Sequence, residues 1–270
     1  MNGPTNPAQA LDWVQLLLAG GAALTGAELL ALRREYRPEG FLGWPMAARL
    51  VARRRFPWSG RWLGAVMQER GVLEVAALRL TAGLGLAAAT LADGATAGAL
   101  LLALVVLSGL LLMQRVPYGM EGSDQLAAIM GIALLVARLF PGSARMAAAV
   151  AWFIALQAAL AYLTAGVVKL RNPGWRDGTL LRGVLGTEFY GHRMLAAWLA
   201  RPAAARAAIW GVILFELSFP LVFLMPAPAV LVWLAAALLF HLTLAVAMGL
   251  NAFVWAFAAT YPAVWFCAAR

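Results

Sequence analysis

From Ala229 to Ala268 the chain reads AVLVWLAAALLFHLTLAVAMGLNAFVWAFAATYPAVWFCA. Two apolar runs, each near the roughly 20 residues that cross a bilayer as a helix, are separated only by the Gly249-Leu250-Asn251 turn. The runs are continuously apolar, whereas the strands of a membrane barrel alternate apolar and polar residues. They therefore predict a helical hairpin, each segment satisfying its backbone groups internally.

Working outward from that hairpin, six more runs follow the same pattern: Leu11 to Leu32, Val72 to Ala92, Thr96 to Met113, Gln125 to Phe140, Met146 to Val168 and Ala207 to Met225. The fourth run along the chain is short, so the expected count is about eight, within seven to nine. Composition agrees. A chain that is 63% hydrophobic and 12% charged, with a mean hydropathy of +0.80, has too little polar surface for a soluble domain. The expected fold class is an all-α integral membrane protein, a polytopic helical bundle whose residues 1–270 form a single transmembrane domain. No Lys or Arg precedes the first run and no small-residue cleavage site follows it, which predicts a permanent first helix rather than a signal peptide. Cys267 is the lone cysteine, which excludes an intramolecular disulfide and a cysteine metal cluster.

The formal charge of +9 would suit nucleic acid in a soluble protein. Here the excess sits in two connections, and membrane lipids are the expected partner, with no nucleic acid. Residues 33–70 hold nine arginines against Glu35, Glu39 and Glu69, and residues 169–206 hold seven basic residues against Asp177 and Glu188. The positive-inside rule places both connections in the cytoplasm, with the chain in a bacterial cytoplasmic membrane and both termini outside. Within the first connection Phe41, Trp44, Phe56, Trp58 and Trp62 alternate with arginines, and Pro45 and Ser59 stand where short helices start. Residues 41–71 thus read as interfacial amphipathic helices, aromatics dipped and arginines snorkelling. Small residues in GLGLAAAT and AWFIALQAALAYLTAG allow close helix approach.

Ionisable groups at bilayer depth are costly unless paired or hydrated. Glu28, Glu74, Arg79, Asp124, Lys169, Glu216 and His241 are so placed. Arg79 with Glu28 or Glu216 is the kind of bridge that fixes helix arrangement without catalysis. No second His or Cys lies at ligand spacing from His241, and His192 lies in a charged loop, so no metal is assigned. In RVPYGMEGSDQ, from Arg115 to Gln125, a turn followed by a helix cap at Ser123 or Asp124 is one reading. The other is a polar cavity lined by Tyr118, Glu121, Asp124 and Gln125 on the membrane face that carries Lys169.

Lys169 is the only lysine beside 20 arginines. It can be a snorkelling anchor at a helix end. It can also be a functional amine, because burial can bring an ammonium towards neutrality while a guanidinium stays charged.

Tyr162-x3-Gly166-x2-Lys169-Leu170, followed by Trp175 and Asp177-Gly178, resembles the segment of vitamin K-dependent gamma-carboxylase that carries its proposed catalytic lysine. It is also similar to the bacterial relatives grouped as the horizontally transferred transmembrane domain and, more locally, to lipase maturation factors. GMEGSDQ resembles the glycine-aspartate turn of the bacterial group, and FHLTLAVAMGLNAFVWAFAATYPAV its closing helix pair. The resemblance implies that Lys169 deprotonates a quinol, whose anion reacts with oxygen to give the strong base used in carboxylation. The single lysine and the intramembrane polar set, taken with that resemblance, add Glu216 and His241 as expected orienting or proton-relay groups, Tyr118 and Asp124 at the rim, and Glu121, Gln125, Trp175, Asp177, Arg79 and Glu28 as further cavity candidates. Two departures are expected beside it: the 270 residues read as spans and their connections, without the large extramembrane region by which the carboxylase engages its protein substrate, and the positive-inside rule puts Lys169 near the cytoplasmic face, whereas the carboxylase acts on lumenal substrates. The expectation is therefore a lysine-base membrane enzyme, oxidoreductase- or carboxylase-like, acting on a quinol or similar lipophile. The alternative is a non-catalytic maturation or assembly factor that holds a secreted or membrane protein or peptide. A transporter is disfavoured because no inverted repeat is evident and Pro220 is the one kink candidate.

Overall fold

The structure, a computed structural model, describes residues 4–40, 42–45, 48, 67–92, 94–115, 122–187 and 192–268. Among these no strand occurs. Five helices come first: α1 (Pro7–Ala31), α2 (Glu69–Leu91), α3 (Ala95–Met113), α4 (Gly122–Arg138) and α5 (Ala144–Arg171). Three short ones follow, α6 (Pro173–Arg176), α7 (Thr179–Leu185) and α8 (Arg193–Leu199). Then come α9 (Pro202–Ser218), its 3-10 continuation Phe219–Leu224, α10 (Ala227–Met248) and α11 (Asn251–Ala268). Each of the eight predicted runs falls on a helix. Six are long and apolar enough to cross a membrane, namely α1, α2, α3, α5, α9 with its continuation, and α10; α4 has 17 residues and α11 has 18. The protein is an all-α polytopic membrane bundle. Most of the amphipathic stretch expected over residues 41–71, including Phe41, Phe56, Trp58 and Trp62, lies outside the described residues.

Local chemistry sets the ends. Pro173 follows Asn172 and stops α5, since proline restricts the residue before it and brings no amide. Pro202 opens α9 at the position where its missing N–H costs nothing. At Pro220 the amide that would bond back to the Glu216 carbonyl is missing, and the chain tightens into the 3-10 turn. Gly249 closes α10 in the left-handed region at φ 69, donating to the Ala245 carbonyl.

The chain divides into two compact units, Asp12–Ser143 and Met1–Leu11 with Ala144–Arg270. In the first, α1 and α2 cross backbone to backbone. A Cβ added at Gly26 would stand 2.7 Å from the Leu80 nitrogen, and one at Gly83 2.7 Å from the Ala23 nitrogen. Gly83 opens the GLGLAAAT run, so the close approach expected of it is realised there. A polar network ties α1 and α2 to α4: Gln15 donates to Thr90 (2.6 Å) and accepts from Arg138 (2.8 Å). Beyond the end of α3, Arg115 donates to the carbonyls of Met67 (3.0 Å) and Leu42 (2.6 Å) and lies over the Tyr36 ring.

In the second unit α11 is the inner helix, packed against α5, α10 and the 3-10 turn, with nearly every residue from Ala256 onward buried. That setting tolerates Thr260, Tyr261 and Pro262 in a helix that reads as a span. α5 is inverted relative to a helix of a soluble protein. Ala151, Ala155, Ala158 and Gly166 are buried, while Trp152, Phe153, Leu156, Leu160 and Leu163 are exposed. In lipid the solvent is as apolar as leucine, so contact goes mainly to small residues and most bulky ones face outward, with Val150, Ile154 and Tyr162 as the buried exceptions. The second basic loop folds down: Leu181 and Leu185 of α7 and Leu195 and Leu199 of α8 pack on Ala204, Ala205 and Ala208 of α9 and on Ala247 and Met248 of α10.

The α1–α2 crossing yields a test. Gly83→Ala places a methyl against backbone that cannot swing away and should destabilise by about 1–3 kcal/mol, measured by unfolding in mixed micelles. Gly211→Ala, where an added Cβ meets nothing within 4 Å, should be neutral or slightly stabilising.

Candidate functional site

Lys169 lies in the last turn of α5 and its Nζ donates to both carboxylate oxygens of Glu216 on α9, at 2.7 and 2.9 Å. The Glu216 side chain is 5% exposed and that of Lys169 21%. The pair therefore faces inward at its carboxylate and is reachable at its amine. Gly166 makes the geometry possible, because a Cβ there would stand 3.1 Å from Glu216 Cβ and 3.0 Å from Leu217. The missing side chain lets α9 approach closely enough for a short lysine reach.

One turn further back on the same face, Tyr162 is fully buried. Its hydroxyl is 2.8 Å from His241 Nε2 on α10 and 3.0 Å from the Tyr261 hydroxyl on α11. Phe219 stacks on the Tyr162 ring at 3.9 Å between centroids, and Phe215 and Phe257 meet it edge-on. Phe257 also stacks on His241 at 4.2 Å. Glu216 lies within electrostatic range of Tyr162. Lys169, Glu216 and His241, chosen from sequence, are thus brought into one neighbourhood, with Tyr162 between the ion pair and the histidine. Sequence reasoning passed over Tyr162 and Tyr261 as site residues. Tyr162 stands seven residues before Lys169, two turns along one helix face, which was the available signal; Tyr261 in an aromatic-rich run offered none.

Trp175 reaches the same place from α6, its ring centroid 6.0 Å from Lys169 Nζ, at the limit of a cation–π contact. Asn172 holds α6 by accepting from the Gly174 amide at 2.9 Å. Asp177 is exposed and committed to the start of α7, where it accepts from the Thr179 amide at 2.8 Å. The next residue, Gly178, has φ 82, and a Cβ there would meet the Ala205 backbone at 2.9 Å, so glycine is required twice over.

The remaining candidates belong to the other unit. Tyr118 and Glu121 lie outside the described residues. Gln125 is exposed and Glu28 half-buried. Arg79 is buried in α2 and donates to Thr25 Oγ1 and to the Val105 carbonyl, each at 2.9 Å, tying α1, α2 and α3 together. Asp124 lies in the first turn of α4, inside the helix rather than capping it, a favourable place for a negative charge. With Arg79 it lines a crevice of about 20 Å³, room for one water.

No protein-family model, no curated protein and no solved structure matches this chain. The site must be read from its own chemistry. A carboxylate and an ammonium joined by two hydrogen bonds in a low-dielectric interior depend on each other, because either ion left there alone would be desolvated without compensation.

Two measurements follow. Lys169→Met strands the Glu216 carboxylate and should cost about 3 kcal/mol, whereas Lys169→Met combined with Glu216→Gln should recover most of that loss in a double-mutant cycle. Hydrogen bonding by the Thr179 side chain and amide holds the Asp177 carboxyl below the usual carboxylate range, with Arg206 and Arg182 adding to it. A depressed folded-state value means the cap persists above the ordinary aspartate value and is lost only as pH falls through the lowered one. The Thr179 amide shift should therefore titrate with a midpoint below about 3.9; a midpoint at or above it contradicts the capping role.

Proposed function

We propose that this chain is a membrane enzyme of the carboxylase-like kind it resembles, in which Lys169 accepts a proton from the hydroxyl of a quinol or similar lipophilic substrate. The observation that carries the reading is the Lys169–Glu216 pair, closed by two short hydrogen bonds. A snorkelling anchor turns its ammonium to water or headgroups, and this one is turned to a buried carboxylate. A lysine base must be neutral when it acts, so this mechanism requires the shared proton of the pair to pass to Glu216 first. The amine then takes the substrate proton, and the carboxylic acid is free to release its own. The resembling motif gains a physical rationale residue by residue: Gly166 sets helix separation, Lys169 supplies the amine, and Tyr162 sits in the aromatic wall behind it.

Phe215, Phe219 and Phe257 give that wall the flat, apolar character that suits an aromatic substrate. The arginine-rich loops face the cytoplasm of a bacterial inner membrane, a placement supported by the charge asymmetry of the sequence.

The test has two arms. Lipid extracted from purified protein should contain stoichiometric quinone by mass spectrometry. Lys169→Met and Lys169→Arg should each lower the rate of quinol consumption by about 100-fold or more, the usual range for a lost general base; full activity in Lys169→Arg would rule out the amine as base.

A further inference from the structure

Arg79 is 8% exposed, yet its hydrogen bonds use only part of its donors. A guanidinium carries five N–H groups. Nε donates to Thr25, and Nη1 donates to the Val105 carbonyl at 2.9 Å and, at the outer limit, to Ser108 at 3.5 Å. Among the described residues nothing accepts from Nη2. Gly109 explains how the charged head fits between the helices: a Cβ there would stand 2.9 Å from Nη1, so α3 yields the space that the guanidinium fills.

Asp124 presents the complementary deficit. Its carboxylate feels Arg79 electrostatically, but no donor among the described residues reaches it and no direct ion pair joins the two. An ionised carboxylate only accepts, so one wall of the crevice between them offers unused donors and the other unused acceptors. The space is about 20 Å³ and is bordered also by Val105, Gly109 and Met113. Buried charges in a membrane bundle are costly unless paired or hydrated. The charges of the walls decide what fits. A cation would meet the guanidinium and an anion the carboxylate, so neither ion gains on balance. A neutral species that both accepts and donates suits both walls, and the volume is a little above the roughly 10–15 Å³ that one water requires.

We propose that this crevice is a binding site for a single water, which accepts from Arg79 Nη2 and donates to an Asp124 carboxylate oxygen. Two charged partners meet the minimum that a buried water needs, and a bridge of this kind is nearly as favourable in enthalpy as a direct hydrogen bond. The consequence is mechanical and independent of the acid–base reading of Lys169. Arg79 holds α1 through Thr25 and α3 through Val105. The water extends that hold to Asp124 on α4, so one guanidinium ties together all four helices of the first unit.

Hydroxyl-radical footprinting of the full chain in lipid nanodiscs reads such a water, because a radical formed on an ordered water oxidises the side chain beside it. Met113 borders the crevice, whereas Met130, also on α4 and fully buried, does not. Met113 should be oxidised severalfold faster than Met130. Asp124→Asn keeps an acceptor for the water and should preserve that ratio. Asp124→Leu removes the acceptor and should bring Met113 down to the rate of Met130. Ala128→Leu, which fills the space from another wall and leaves both charges in place, should do the same. A Met113 rate equal to that of Met130 in the unaltered protein, as a direct Arg79–Asp124 contact would give, overturns the proposal. So does a Met113 rate that neither Asp124→Leu nor Ala128→Leu changes.

Discussion

The second unit is organised around the burial of one carboxylate. Glu216 sits on an apolar helix at 5% side-chain exposure, where an unpaired charge would cost several kcal/mol. Its partner must come from a neighbouring helix at hydrogen-bond range, which fixes the separation of α5 and α9. That separation leaves a side chain at Gly166 crowded, its Cβ 3.0 Å from Leu217 and 3.1 Å from Glu216 Cβ. The same rotation of α5 that brings Lys169 to Glu216 turns Tyr162 inward, since the two are seven residues apart on one face. The aromatic wall then follows from Tyr162, whose hydroxyl engages α10 and α11 together.

The first unit solves a similar problem differently. Arg79 spends its donors on a threonine hydroxyl and a backbone carbonyl, with Asp124 in electrostatic range. A guanidinium suits this because it has five donors in a fixed fork and remains charged wherever it is placed. Lysine in that position would reach fewer acceptors. Arginine at 79 is therefore a choice by geometry.

The helices were legible because lipid imposes a simple rule: a long apolar run has to be a helix. The turn at Gly249 was legible, whereas α5 runs on to Arg171, past the expected end at Val168, and α9 opens at Pro202, ahead of the expected start at Ala207. The short helices of the second basic loop escaped notice, since seven residues such as RMLAAWL carry too little periodicity to distinguish an amphipathic turn from a connection. Lys169, Glu216 and His241 were visible as rare polar residues in apolar surroundings. Their partners were not, because nothing in a linear sequence says that Lys169 faces Glu216, 47 positions away, or that Tyr261 faces Tyr162. Arg79 shows the converse: its charge advertised it, yet its hydrogen bonds go to Thr25 and a carbonyl that no composition rule would nominate.

The inverted faces of α5 have a consequence for how such a chain can change over time. Leucine, valine, phenylalanine and isoleucine are nearly equivalent to an acyl chain, so the outward positions at Leu156, Leu160 and Leu163 can exchange freely among them. The inward positions at Ala151, Ala155, Ala158 and Gly166 are buried, and at Gly166 an added Cβ would stand 3.0 Å from Leu217. The packing of α5 is thus held by its small inward side chains together with the buried Ile154 and Tyr162, and the bulky residues on its outward side are the part most free to drift.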